Sequence, residues 1–221
     1  MNVVIFANGE LTAVDKAAEL AGKADLIIAV DGGANHCRTL EITPQILLGD
    51  LDSIAPDLLH SYEQNNVTIH RYAADKDKTD LELALDLAVA KQATRITILA
   101  ALGGRWDMSF ANLHLLAAPQ YAGVEILLME PGTTIGTCRG GEDRFFTFPP
   151  GTTISLLPIS DHVTGVTLSG FKYPLTNETL SSSSSRGVSN VLTEETGHLT
   201  VTSGVLLWMA LREGEMSQSA F

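Results

Sequence analysis

Ile46-Leu47-Leu48-Gly49-Asp50-Leu51-Asp52-Ser53 is a short apolar run that opens into two carboxylates spaced two residues apart. An extended Asp-x-Asp pair offers two corners of the octahedron of a hard divalent cation, and Mg²⁺ usually takes one or two carboxylates plus substrate phosphates. Gly49 lets backbone approach an anion, and Ser53 supplies another oxygen. A solvated turn from strand to helix explains the segment equally well in isolation.

Its neighbours shift the balance. Leu26–Val30 runs into Asp31-Gly32-Gly33-Ala34-Asn35, and Val67–His70 leads to Asp75-Lys76-Asp77-Lys78-Thr79-Asp80. Ile96–Ala100 runs into Gly103-Gly104-Arg105-Trp106-Asp107. Each apolar, β-branched run enters a loop of Gly and charged residues and then a helical pattern. In an open parallel sheet, ligands bind outside the carboxyl ends of the strands. The pattern therefore gathers acidic and basic groups along one edge.

Strands are predicted at about 2–7, 26–30, 46–48, 67–72, 95–100 and 124–129, with helices at about 12–22, 33–41, 55–65, 79–91 and 107–118. This alternation is the signature of βαβ units. Thr79 and Glu82 form a capping box ahead of Leu81, Ala84, Leu85 and Ala88, placing Asp80 in a first helical turn where the dipole favours its charge. After Pro131-Gly132 the texture changes to short β-rich runs at 144–148, 152–157, 163–168, 199–201 and 205–209. The predicted architecture is α/β. A mostly parallel sheet with flanking helices (1–132) is followed by a smaller all-β, sandwich-like domain (133–221). Five serines at 181–185 read as a flexible loop, and the polar tail after Gly214 as frayed.

With 221 residues, 45% hydrophobic and 18% charged, the chain has ample core for such a fold. A net charge of −12 argues against nucleic acid or an anionic membrane as partner. Polyphosphate would have to be bound locally, through metal, backbone amides and a few Lys and Arg. Cys37 and Cys138 lack metal-ligand spacing and read as reduced structural thiols, which suits a cytoplasmic protein. No apolar run approaches the ~18 residues of a membrane span. The six histidines show no ligand spacing.

Five motifs occur in order: Asp31-Gly32-Gly33-Ala34-Asn35, Gly49-Asp50-Leu51-Asp52-Ser53, Asp77-Lys78-Thr79-Asp80, Gly103-Gly104-Arg105-Trp106-Asp107 and Ser185-Arg186-Gly187-Val188-Ser189-Asn190. Together they closely resemble thiamine pyrophosphokinases over almost the whole chain. The resemblance implies transfer of pyrophosphate from ATP to thiamine with Mg²⁺, giving thiamine diphosphate and AMP. It also implies a homodimer whose thiamine site lies between the α/β domain of one subunit and the β domain of the other.

Under that reading, Asp50 and Asp52 are the first choice as Mg²⁺ ligands, with Asp80 and then Asp31 completing the set directly or through water. Arg105 suits paired hydrogen bonds to phosphate, and Lys76 and Lys78 add point charges beside Asn35 and Thr79. Asp80, with Asp77 as substitute, is the candidate base for the hydroxyl proton. Asp107 pairs with Arg105 or caps the following helix. Ser189 and Asn190 match positions that contact the thiamine ring, and Trp106 or an aromatic of the other subunit would stack on it; Trp208 reads as core.

Two other classes share parts of this pattern. A nucleotide-sugar glycosyltransferase also uses Asp-x-Asp, and a sensor would bind thiamine without turnover. A dinucleotide oxidoreductase is disfavoured, because Asn8-Gly9-Glu10 stands where Gly-x-Gly-x-x-Gly would follow the first strand.

Overall fold

The computed structural model describes residues 1–212; the predicted frayed tail after Gly214 lies outside them. The chain forms two compact units, one of 1–115 with 120–130, the other of 116–119 with the residues from Pro131 on.

The first unit contains β1 (Asn2–Phe6), α1 (Val14–Ala21), β2 (Leu26–Val30), α2 (Gly33–Thr39), β3 (Ile46–Gly49), α3 (Pro56–Gln64), β4 (Thr68–Arg71), α4 (Asp80–Ala90), β5 (Arg95–Leu99), α5 (Trp106–Leu116) and β6 (Glu125–Glu130). Its strands run in the order β6-β5-β1-β2-β3-β4, and each pairing is parallel. Alternate residues Val4, Phe6, Ile27, Ala29 and Leu47 share one core with Ala17, Ala34, Cys37, Leu58 and Tyr62 of α1, α2 and α3. By the two-residue alternation of strands, buried Val3, Ile5 and Ile28 face the other side, where α4 packs over β2 and β3 through an apolar stripe including Leu81, Ala84, Leu85 and Ala88. Burial on both faces explains why the strands read as continuous apolar runs rather than alternating ones. The edge strand β4 is the polar exception.

The strand order carries the functional consequence. The chain starts at β1, steps outward through β2, β3 and β4, then returns to place β5 on the opposite side of β1. The loops leaving β1 and β5 therefore diverge at a topological switch point, where open α/β sheets bind ligands.

The second unit contains β7 (Thr133–Arg139), β8 (Asp143–Phe146), β9 (Thr153–Pro158), β10 (His162–Ser169), β11 (Leu175–Ser181), β12 (Asn190–Val191), β13 (Gly197–Thr200) and β14 (Val205–Leu211). Two antiparallel layers form, β12-β9-β14-β7 and β11-β10-β13-β8. Phe146 of the second layer meets Trp208 of the first edge-on at 5.4 Å, so Trp208 is core, as its apolar run predicts. Leu116–Pro119 joins this unit rather than the α/β unit because the Arg139 guanidinium donates to the carbonyls of Leu116, Ala117 and Ala118.

Three strands escape the sequence reading. β7 carries Thr, Gly and Arg within its length, β11 is largely exposed, and β12 has two residues. The serine tract forms a hydrogen-bonded turn. Ser181 ends β11, the Ser182 amide donates to Asp161, the Ser184 amide to Ser181, and the Arg186 amide to Ser184 Oγ. Serine hydroxyls that satisfy local amides build a turn here, which composition alone reads as slack.

Candidate active site

A cavity of about 600 Å³ opens at the strand ends of the first unit. Its wall takes Asn8, Gly9 and Glu10 from the loop after β1, Asp31 after β2, and Asp50 after β3. Lys76, Lys78, Thr79 and Asp80 come from the segment before α4, and Gly103, Gly104 and Arg105 from the loop after β5.

Oxygens of Asp31, Asp50 and Asp52 lie within 4.8 Å of one another. Local backbone explains this convergence. Leu51 takes φ 69° and is buried in the core, so the residues on either side of it turn outward. The Asp52 amide donates to Asp50 Oδ1 at 3.2 Å, closing the pair into a turn, and Ser53 Oγ donates to Asp52 Oδ1 at 2.9 Å. Asp31 sits at φ 47°, and its amide donates to Leu48 O at 2.8 Å, which fastens the loop after β2 to β3. Asn35 closes the same gap from α2 by donating to Ser53 O at 3.1 Å.

Asp31 is 8% exposed. Its Oδ2 accepts from Asn8 Nδ2 at 3.1 Å, while its Oδ1 is buried without a hydrogen-bond partner. Buried polar atoms nearly always find partners, and three clustered carboxylates repel one another unless a cation neutralises them. An all-oxygen, all-anionic donor set suits a hard cation such as Mg²⁺.

Asp80 is not one of these three. Its Oδ1 lies 3.0 Å from Lys76 Nζ as an ion pair without hydrogen-bond alignment, while Lys76 donates to Ala73 O at 3.0 Å. As predicted, Thr79 caps α4, its Oγ1 accepting from the Glu82 amide at 3.2 Å. The Glu82 carboxylate turns to Lys78 at 3.4 Å instead of completing the capping box. Lys78 also meets Asp86 Oδ2 at 2.6 Å, and these carboxylates raise its pKa, the Asp86 hydrogen bond most. Asp77 is exposed and off the cavity wall, so Asp80 is the carboxylate of this segment that reaches the cavity.

Arg105 is paired with Asp107 through two hydrogen bonds, at 3.2 Å and 2.5 Å. The pair holds the Asp107 carboxyl below the usual carboxylate range and raises the guanidinium. Both side chains are largely exposed, so this contact orients Arg105 more than it stabilises the fold.

In the second unit, Ser189 is exposed at φ 60°, and its amide donates to Ser155 Oγ. Asn190 behaves otherwise. Its Oδ1 accepts from the amides of Tyr173 and Val191, and its Nδ2 donates to Tyr173 O at 2.7 Å. Its amide oxygen is thus taken up by backbone. Trp106, the candidate stacking residue, is 88% exposed on α5.

Residues 17–128 match the family model described as thiamin pyrophosphokinase, catalytic domain, and residues 144–206 match thiamin pyrophosphokinase, vitamin B1 binding domain. The chain belongs to the thiamine pyrophosphokinase family. Thiamine pyrophosphokinase of Bacillus subtilis (strain 168) is 34% identical over 192 residues, 86% of this chain and 90% of that protein. Thiamine pyrophosphokinase 2 of Arabidopsis thaliana is 30% identical over 210 residues, 84% of this chain and 77% of that one. Among solved structures, thiamine pyrophosphokinase from Bacillus subtilis superposes with a TM-score of 0.84 at 29% identity, covering 96% of this chain and 100% of that chain. Thiamin pyrophosphokinase from Geobacillus thermodenitrificans gives 0.81 at 28% identity, with 100% of each chain covered. Within this chain, the catalytic-domain match spans the acidic cluster, Asp80 and Arg105, and the vitamin B1 match spans Ser189 and Asn190.

Sequence reading missed Asn8, which supports Asp31, and His36, which pairs with Gly9 O at 2.8 Å. In sequence, the Asn8-Gly9-Glu10 segment reads only as the absence of a dinucleotide motif. Its position after the first strand was the available signal.

Proposed function

We propose that this chain transfers the pyrophosphoryl group of ATP to the hydroxyl of thiamine, releasing AMP. The observation that carries this reading is a three-carboxylate cluster beside a cavity whose wall also bears Lys76, Lys78 and Arg105. A triphosphate needs opposite charge at several oxygens, and a loose phosphoryl-type transition state responds chiefly to positioning and electrostatics.

The thiamine hydroxyl oxygen forms a bond to the β-phosphorus, and the β-phosphorus bond to the bridging oxygen breaks. AMP leaves with that oxygen. Asp31, Asp50 and Asp52 would hold Mg²⁺, which supplies charge neutralisation at the phosphate oxygens when bound. Arg105 leaves or shares Asp107 to donate its planar fork to phosphate. Lys76 and Lys78 exchange part of their carboxylate pairing for phosphate. Asp80 takes the hydroxyl proton, since it stands on the cavity wall outside the three-carboxylate cluster. Ser189 contributes to thiamine recognition.

The working form is a homodimer with the thiamine site shared between subunits. Trp106 and Phe110, one turn apart on α5, are 88% and 66% exposed, and Phe145 and Tyr173 are also exposed, a load of aromatic surface that association would cover. A cytoplasmic setting fits the two free, buried cysteines. Among the described residues, no helix is long and apolar enough to cross a membrane.

The test is direct. Purified protein incubated with thiamine, ATP and Mg²⁺ yields thiamine diphosphate and AMP in equal amounts. Release of ADP, or of product without AMP, overturns the reading.

A further inference from the structure

The loop that leaves β5 has an unusual problem. Ala100 takes φ 54°, which ends the strand abruptly and turns the next amides away from the ladder. Ala101 is buried, so its N–H and C=O need protein partners. They receive side chains from two other elements. Glu130 Oε1, at the end of β6, accepts from the amides of both Ala101 and Leu102, at 3.1 and 3.2 Å. Asn112 of α5 donates to Ala101 O at 2.8 Å. Ser109 of the same helix accepts from the Gly103 amide at 3.2 Å and donates to Arg105 O at 3.1 Å. Parallel pairing of Leu99 with Met129 brings the end of β6 beside this loop.

We propose that Glu130 is a positioning residue for the transfer reaction: its carboxylate grips two successive amides and thereby sets where Gly103, Gly104 and Arg105 meet the phosphates. The proposal rests on the pyrophosphokinase reading above. Glu130 is not on the cavity wall and acts through the loop that is. A carboxyl oxygen suits the task because its two lone pairs let one acceptor serve two N–H groups at once. Ser109 and Asn112 hold the same loop from the helix side, so Glu130 anchors the strand side.

Full-length Glu130→Ala and Glu130→Gln are compared with the parent in two measurements. Amide hydrogen exchange, without substrate, reads the brace: Glu130→Ala speeds exchange across 101–105 at least tenfold and leaves β1–β3 unchanged. Steady-state kinetics read the consequence: Glu130→Ala raises KM for ATP or lowers kcat by tenfold or more, with KM for thiamine within twofold. Glu130→Gln, which keeps an acceptor oxygen, recovers most of both effects. The proposal is overturned if exchange in 101–105 is unchanged, or if it rises equally throughout the unit. Kinetics at parental values, or a Gln variant as impaired as Ala, also overturn it. A parent that forms no thiamine diphosphate refutes the activity instead, while the exchange measurement still reports on the brace.

Discussion

Gly49 and Asp31 pack so closely that a Cβ on Gly49 would lie 3.1 Å from the Asp31 Cβ, with the Asp31 Cα and amide nitrogen 3.3 Å away. Gly49 also holds φ +146°, outside the comfortable range of L-residues. Both constraints act where two acidic loops must approach to cluster their carboxylates. Gly49→Ala is expected to cost about 1–2 kcal/mol of stability and to weaken Mg²⁺ binding by displacing Asp31 from Asp50. Urea unfolding and a Mg²⁺ titration of the same variant check both parts.

Asp52 is exposed and supports little core, so its removal separates chemistry from folding. Asp52→Ala is expected to lose several orders of magnitude in thiamine diphosphate formation with a melting temperature near that of the parent. Asp77→Ala, off the cavity wall, keeps most of the activity. An activity loss in both variants of the same size would remove the distinction between clustered and peripheral carboxylates.

Burial pushes the Glu130 carboxyl up to about 7, with Glu10 the facing charge that adds to the rise and the amides of Leu102 and Ala101 opposing it. A folded-state pKa above the unfolded value means the folded protein holds the proton more tightly. The associated stability is complete below about 4.5 and is lost as pH rises toward 7. The shift corresponds to about 3 kcal/mol. Glu130→Gln cannot titrate, so its stability relative to the parent should rise across that window. Chemical denaturation of both proteins from pH 4.5 to 8 gives the difference curve, which a flat result would refute.

Arg105 pairs with Asp107 in a bidentate geometry that lysine cannot reproduce. Arg105→Lys is expected to lower kcat/KM for ATP about 10- to 100-fold, about 1.4–2.7 kcal/mol, with unfolding unchanged. Asp107→Asn should have a smaller effect, because it frees the guanidinium without removing it. Initial rates at varied ATP separate the two variants.

Asn190 is 6% exposed and satisfies both backbone polar groups of Tyr173. Asn190→Ala leaves those groups unpaired and is expected to destabilise the second unit by about 1–3 kcal/mol, with or without thiamine. Ser189→Ala is expected to spare stability and raise KM for thiamine. Thermal melts beside thiamine titrations assign each residue its role.

Local pattern carried much of this protein. The apolar runs at 26–30, 46–48 and 95–100 became β2, β3 and β5 within two residues, because strands buried on both faces need continuous β-branched sequence. Thr79 announced the start of α4, since a cap depends only on residues within one turn. Asp31 and Asp50 were legible for the same reason: each sits one residue past a strand, and strand ends are local.

Partner choice was decided elsewhere. Placing β1 beside β2 and β6 beside β5 is a non-local packing outcome; the first pairing brought Asn8 to Asp31 and the second brought Glu130 to the loop after β5. Tertiary distance also divided the aspartates. Asp31 joined Asp50 and Asp52, whereas Asp80 was taken by Lys76 four residues earlier. Motif letters specify which groups a chain owns; a hydrogen bond or an ion pair forms only where folding leaves two of them about 3 Å apart.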